Sequence, residues 1–174
     1  MVERKGLIAL LFCVLLLPLL CGCPYETEVP LSTPSRAKID KELIGCWKSE
    51  PMNEEEKPGI VVFCPFNDHE FIAVTRETKE EEDDIDLMKA FVTILDDTKF
   101  LNVQELDLEP EEKKWLLVEY SVSGDYLTLR VVDDKLFKQT FTTSRALRKF
   151  LKDNLKNPEL YQKDDKVVLK RIKE

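Results

Sequence analysis

Alternation at a period of two is the feature that most constrains this chain. In Trp115–Ser123 the residues Leu116, Val118, Tyr120 and Val122 share one face. Beyond Gly124, Leu127, Leu129 and Val131 do the same within Asp125–Val132. Successive strand side chains point to opposite faces, so this spacing specifies half-buried strands rather than helix. Gly124 between two such runs reads as a hairpin turn. Similar runs recur at Ile44–Ser49, Gly59–Phe66, Glu70–Arg76, Ala90–Leu95, Lys99–Leu106, Leu136–Phe141 and Lys166–Ile172. Leu101 and Val103, and Phe137 and Phe141, join the inward set on the same spacing. About nine short strands punctuated by Asn67-Asp68-His69, Asp96-Asp97-Thr98 and Asp133-Asp134 predict a mostly β, antiparallel barrel or sandwich.

One helix interrupts the strands. Thr143 or Ser144 can cap its start, and Asn157-Pro158 stops it. Leu147, Phe150, Leu151 and Leu155 fall on one face, whereas Arg145, Arg148, Lys149, Lys152 and Lys156 fall on the other. The apolar face must pack on the sheet or cap one end of a barrel. The basic face faces solvent, anionic lipid headgroups or an acidic partner.

The first 22 residues follow a different logic. Arg4 and Lys5 precede Gly6–Leu20, which is apolar almost throughout and carries Pro18 near its end. A basic start and an apolar run of this length are the layout of a secretory signal, short of the ~20 residues a spanning helix needs. The run ends Leu20-Cys21-Gly22-Cys23. This resembles a bacterial lipobox, with an apolar residue at −3, a small one at −1 and the acceptor Cys23. Cys21 does not fit, because Leu20 would then stand at −1. The resemblance implies cleavage after Gly22, a diacylglyceryl thioether on Cys23 and acylation, palmitate among the chains, of the new amino terminus. Residues 1–22 are then a lipoprotein signal peptide, 23–42 a proline-bearing extended tether and 43–174 the folded domain. The protein is expected in the bacterial cell envelope, its partner the membrane reached through Cys23 and its domain outside the cytoplasm.

Removing the signal changes the arithmetic. The mature chain holds 24 basic and 33 acidic residues, a net charge of −9. That balance argues against nucleic acid, whose phosphates need a basic field. The total conceals polarity: residues 50–112 carry a net −15, whereas 145–174 carry +5. Of the chain's 5 cysteines, Cys13 and Cys21 leave with the signal and Cys23 takes lipid. Cys46 and Cys64 remain. In an exported protein they either form a disulfide or stand as two separate thiols.

Gly45-Cys46-Trp47 opens the first strand of the domain. A Gly-x-Trp at this place resembles the short signature of lipocalins and their calycin relatives. The resemblance implies an eight-stranded barrel in which the Trp closes one end and an Arg of a late strand packs over the indole. Arg171, in the phase of Val167 and Leu169, fits that role better than Arg130, which alternates away from Leu127 and Leu129. Gly45, Trp47 and Arg171 are thus the expected barrel-closing group. Calycin barrels often hold a small apolar ligand, although small barrels can also be filled by their own side chains. A helix before the last strand departs from the strict lipocalin pattern.

Catalytic chemistry has little to work with. His69 is the single histidine and sits in a predicted turn, with no Gly-x-Ser-x-Gly elbow elsewhere. Glu80–Asp86 is strongly acidic but lacks the turn glycine and ligand spacing of a calcium loop. Two cysteines without neighbouring histidines do not make a zinc site. The expected protein is therefore not an enzyme and needs no metal or cofactor. It is either a lipid-anchored binder of a small apolar ligand or a structural or assembly lipoprotein whose filled domain makes only protein contacts.

Overall fold

A computed structural model describes residues 23–49, 58–78 and 83–173. The segment read as a signal, 1–22, lies outside the described residues, as do Glu80, Glu81 and Glu82 of the acidic run. Nine strands form one antiparallel sheet: β1 (Glu26–Thr27), β2 (Gly45–Ser49), β3 (Ile60–Pro65), β4 (Phe71–Thr78), β5 (Asp83–Leu95), β6 (Thr98–Glu105), β7 (Trp115–Ser123), β8 (Tyr126–Val132) and β9 (Tyr161–Arg171). β2 through β8 pair in chain order, and β9 pairs with both β8 and β2. The result is a closed, up-and-down, eight-stranded antiparallel barrel, the architecture the calycin resemblance implies. Closure leaves no free edge around the ring.

Alternation decides what fills it. Trp47, Val61, Phe63, Phe71, Ala73, Met88, Ala90, Val92, Leu101, Val103, Val118, Tyr120, Leu127, Leu129, Val131 and Leu169 form one buried cluster. Leu116, Val122 and Val167 are half-buried against it. One slip of register would turn each strand's set outward, so the barrel register is strongly specified.

The outer wall of β5, β6 and β7 is apolar as well. Leu95, Phe100 and Leu117 point outward there and need cover. The helix α1 (Ser144–Asn154) supplies it with Leu147 and Leu151, both fully buried. The Thr143 hydroxyl caps α1 by accepting the Ala146 N–H. Lys152 reaches Asp96 in the β5–β6 turn at 2.6 Å. The helix thus lies on the side of the barrel.

The structure differs from expectation at three places. Leu136–Phe141 is not a strand. The Asp133 carboxylate accepts the Lys135 N–H and starts a 3-10 turn over Asp134–Leu136, which breaks the extended run. Phe137 and Phe141 instead pile against Phe150 of α1, with ring centroids 4.9 and 5.2 Å away. The acidic stretch Glu77–Asp86, which carries none of the alternation read as strand, is in its described residues ladder, pairing Glu77 with Asp84 and Thr78 with Asp83.

The third difference concerns residues 23–42. The three prolines there do not hold the segment off the barrel. It is a strap laid across β7, β6 and β5, with Tyr25, Thr27, Leu31 and Ala37 buried. Its β1 residues pair with Leu116 and Trp115. The Leu31 N–H donates to Asn102 Oδ1 at 2.6 Å, and the Ser32 and Thr93 hydroxyls meet at 2.6 Å. Asn102, on the outward face of β6, also donates to Thr93 Oγ1 and to the Phe91 carbonyl. The described folded body therefore includes the segment from Cys23 to Glu42.

Candidate functional site

The barrel end bearing Gly45 is built by the residues that carry the sequence resemblance. Trp47 is fully buried and donates its indole N–H to the Leu43 carbonyl at 2.9 Å. The Arg171 guanidinium lies 4.0 Å over the Trp47 ring. It donates to the Ile44 carbonyl at 2.7 Å and the Glu42 carbonyl at 2.6 Å. One cation thus ties β9 to the chain entering β2 while stacking on the indole. Gly45 explains the spacing of the motif. Its φ is +133°, and a Cβ there would meet Arg171 Nη1 at 2.7 Å. Only glycine lets the guanidinium pass beneath the strand to reach Trp47. Arg130 does something else: it lies 3.6 Å over the Tyr161 ring.

A polar latch closes the same end. Asp40 accepts from Lys99 Nζ at 2.7 Å and from the Tyr120 hydroxyl at 2.8 Å. Burial acts to raise the Asp40 carboxyl, but the bonds from Lys99 and Tyr120 outweigh it and hold the group below its ordinary value. Burial first, and then the bond to Asp40, push the Tyr120 hydroxyl upward. The sign for Asp40 is that of a depressed acid: its contribution is present at neutral pH and lost as pH falls below about 4. We expect the stability difference between the native chain and Asp40→Asn to shrink on acidification. Urea unfolding at neutral pH and at about pH 3 measures it, and an unchanged difference would show that the latch contributes nothing.

The opposite mouth is acidic. Asp86 faces Thr75 across β4 and β5, accepting its hydroxyl at 3.1 Å, and Glu105 stands beside Met88. Burial, then repulsion from Asp86 and Asp107, raise the Glu105 carboxyl. Between the two ends most inward side chains are buried. Leu101, Val118, Leu127 and Leu169 expose 2% of their surface or less, and Phe71 and Ala90 expose none. The inward Leu116, Val122 and Val167 are half-buried and keep accessible area.

The remaining sequence candidates are scattered. His69 is half-buried, its Nδ1 2.8 Å from the Ala37 carbonyl oxygen, where it ties a turn to the strap. Among the described residues no group of three or more His, Cys, Asp or Glu side chains is placed to hold a metal. Of the two alternatives for Cys46 and Cys64, the bridge is not formed, and both are free thiols. Cys46 pairs with Val62 in the β2–β3 register, which leaves Cys64 on the diagonal of the same outer face. Diagonal neighbours stand ~7–8 Å apart, beyond the usual disulfide span. Cys46, Val62, Val74 and Leu87 instead form a half-buried row across the uncovered outer wall of β2 to β5.

Cys23 is exposed but its backbone is held. Its carbonyl accepts the Asp134 N–H at 3.1 Å, Pro24 bridges Asp133, and the Tyr25 N–H donates to the Val132 carbonyl at 2.8 Å. The Tyr25 ring stacks on Phe137 at 3.5 Å. A shallow groove of about 450 Å³ runs from Cys23 past Phe137 to Thr140. Arg145, Lys149 and Lys152 are exposed on α1, Lys156 is exposed in the turn after it, and Arg148 is half-exposed. Sequence reasoning missed the strap contacts of Asn102 and the Asp40 latch, since both residues read as ordinary surface polar groups. Comparison of the chain with protein-family models, curated proteins and solved structures found no match.

Proposed function

We propose that this chain is a lipid-anchored protein of the bacterial cell envelope whose barrel is a contact module, without catalytic activity. The anchor reading rests on Leu20, Gly22 and Cys23 in sequence and on the exposure of Cys23. The burial of Leu101, Val118, Leu127 and Leu169 in the barrel interior is the observation that favours contact with another protein over storage of a small apolar ligand. A ligand would have to displace Leu101, Val118, Leu127 or Leu169, each of which costs ~1.5–3 kcal/mol to expose. An anionic amphiphile would further meet Asp86 and Glu105 at the mouth. The uncovered wall, with its row from Cys46 to Leu87 and the exposed Ile85 beside it, supplies apolar surface for a protein partner instead.

Two measurements test this reading. Cells fed labelled palmitate should label the native chain and Cys21→Ser but not Cys23→Ser, and an unlabelled native chain would remove the anchor. Native mass spectrometry of the chain purified from its own membrane should give the mass of the acylated protein alone. A stoichiometric bound lipid would return the ligand-binding reading.

A further inference from the structure

We infer that the side of the barrel covered by the strap and α1 is the membrane-apposed face, and that the exposed stripe of α1 binds anionic phospholipid headgroups. The inference rests on the anchored reading above and deepens it. Its first support is where the anchor leaves the body. A flexible tether would let the domain turn freely, but the backbone is held from the Cys23 carbonyl onward. No spacer stands between an acyl chain on Cys23 and the folded surface.

Its second support is what lies beside that exit. The Tyr25 ring stacks on Phe137, and Phe137 packs on Phe150 of α1, so the exit and the helix form one rigid unit. Both belong to the layer over β5, β6 and β7, where Tyr25 and Leu31 share a buried cluster with Leu147 and Leu151. Opposite that buried pair, Arg145, Lys149, Lys152 and Lys156 fall at i, i+4, i+7 and i+11 along one exposed stripe. Lys152 is paired with Asp96, whereas Arg145, Lys149 and Lys156 make no ion pair among the described residues. Acid is not wholly absent there: Asp153 is exposed on α1, and Asp134 and Glu26 line the groove.

Charge elsewhere distinguishes this side from the acidic mouth, while Lys48 and Lys170, opposite each other on β2 and β9, form a second exposed basic pair. Of the described acids in residues 50–112, which carry a net −15 in sequence, Asp96 pairs with Lys152 of α1, whereas Asp86 and Glu105 stand at the far mouth of the barrel. A negative bilayer attracts basic side chains near its surface and repels the acidic body, so the field adds an orientation to the anchor. Each exposed basic residue at such a surface strengthens binding about fivefold.

Purified acylated protein reconstituted into vesicles tests the face. One set is phosphatidylcholine, and the other adds phosphatidylglycerol as a minority component. Vesicle flotation reports the anchor, and labelling by a membrane-impermeant amine reagent reports the face. In the anionic vesicles Lys149 and Lys156 should label several-fold more slowly than Lys48 and Lys170, which are exposed on the uncovered wall. The protection should fade in phosphatidylcholine and at high salt, and Arg145→Gln with Lys149→Gln should remove it from Lys156. These exposed replacements keep good helix formers, so α1 is retained. A protein that floats but labels evenly overturns the face and leaves the anchor standing. One that does not float overturns the anchor and the face with it. Protection seen in cells but not in anionic vesicles overturns the headgroup assignment in favour of an acidic protein.

Discussion

Trp47→Ala should cost about 3–5 kcal/mol, the range for removing a fully buried large aromatic. The indole fills the barrel beneath its closed end, so the cavity lies among Leu43, Val61 and Leu169 rather than at a surface that can collapse. The same change strips Arg171 of its stacking face while its bonds to Glu42 and Ile44 remain. Arg171→Ala in the Trp47→Ala background should therefore cost less than in the native chain. The difference is the coupling between the two groups. Domains of this size are stable by only about 5–15 kcal/mol, so Trp47→Ala should shift the urea midpoint conspicuously. Far-UV circular dichroism is the appropriate probe, since Trp115 leaves residual fluorescence. A loss below about 1 kcal/mol would mean that Trp47 does not close the barrel as its burial implies.

The barrel was legible where one periodicity dominates. Leu116 to Val122 and Leu127 to Val131 alternate cleanly because each strand has one face on the core, and closure follows from pairing such strands in chain order. Gly45 and Trp47 could be placed because backbone freedom and a large ring are needed at fixed spacing around one guanidinium. The outer layer was not legible for the opposite reason. Phe91, Phe100 and Leu117 break the polar phase of β5 to β7 and signal a second covering, but nothing in their own strands names what covers them. The covering is a stretch with three prolines and scattered apolar residues, a composition that reads as linker. Asp133, fully buried and paired with the exposed Lys135, shows the same limit, since its acid turns a would-be strand into a 3-10 turn through one local bond. The two cysteines failed as a bridge because sequence separation says nothing of register: a two-residue difference in pairing decides between opposite and diagonal.

Asn102→Ala should release the strap without opening the barrel. The carboxamide is fully buried and serves three partners: it accepts from Leu31 and donates to Thr93 and to the Phe91 carbonyl. Truncation leaves the Leu31 N–H and the Thr93 hydroxyl without that partner beneath the strap, each at a cost of about 1–3 kcal/mol. Local opening relieves the cost, because Leu31 and Ser32 then reach water while the inward residues of β6, Leu101 and Val103, stay in place. Hydrogen exchange should accordingly quicken tenfold or more over residues 25–37, as 1.4 kcal/mol corresponds to tenfold. Amides of β2, β3 and β9 should keep their native rates. Equal acceleration everywhere would show that the strap and barrel unfold as one unit, and no acceleration would show that β1 pairing and Leu31 burial suffice without Asn102. The consequence reaches the anchor. A freed strap becomes the flexible linker its prolines suggested, so the acylated variant should still float with anionic vesicles while the protection of Lys149 and Lys156 weakens. Anchoring would then depend on Cys23 alone and orientation on Asn102, a carboxamide on the far side of the strap from the lipid.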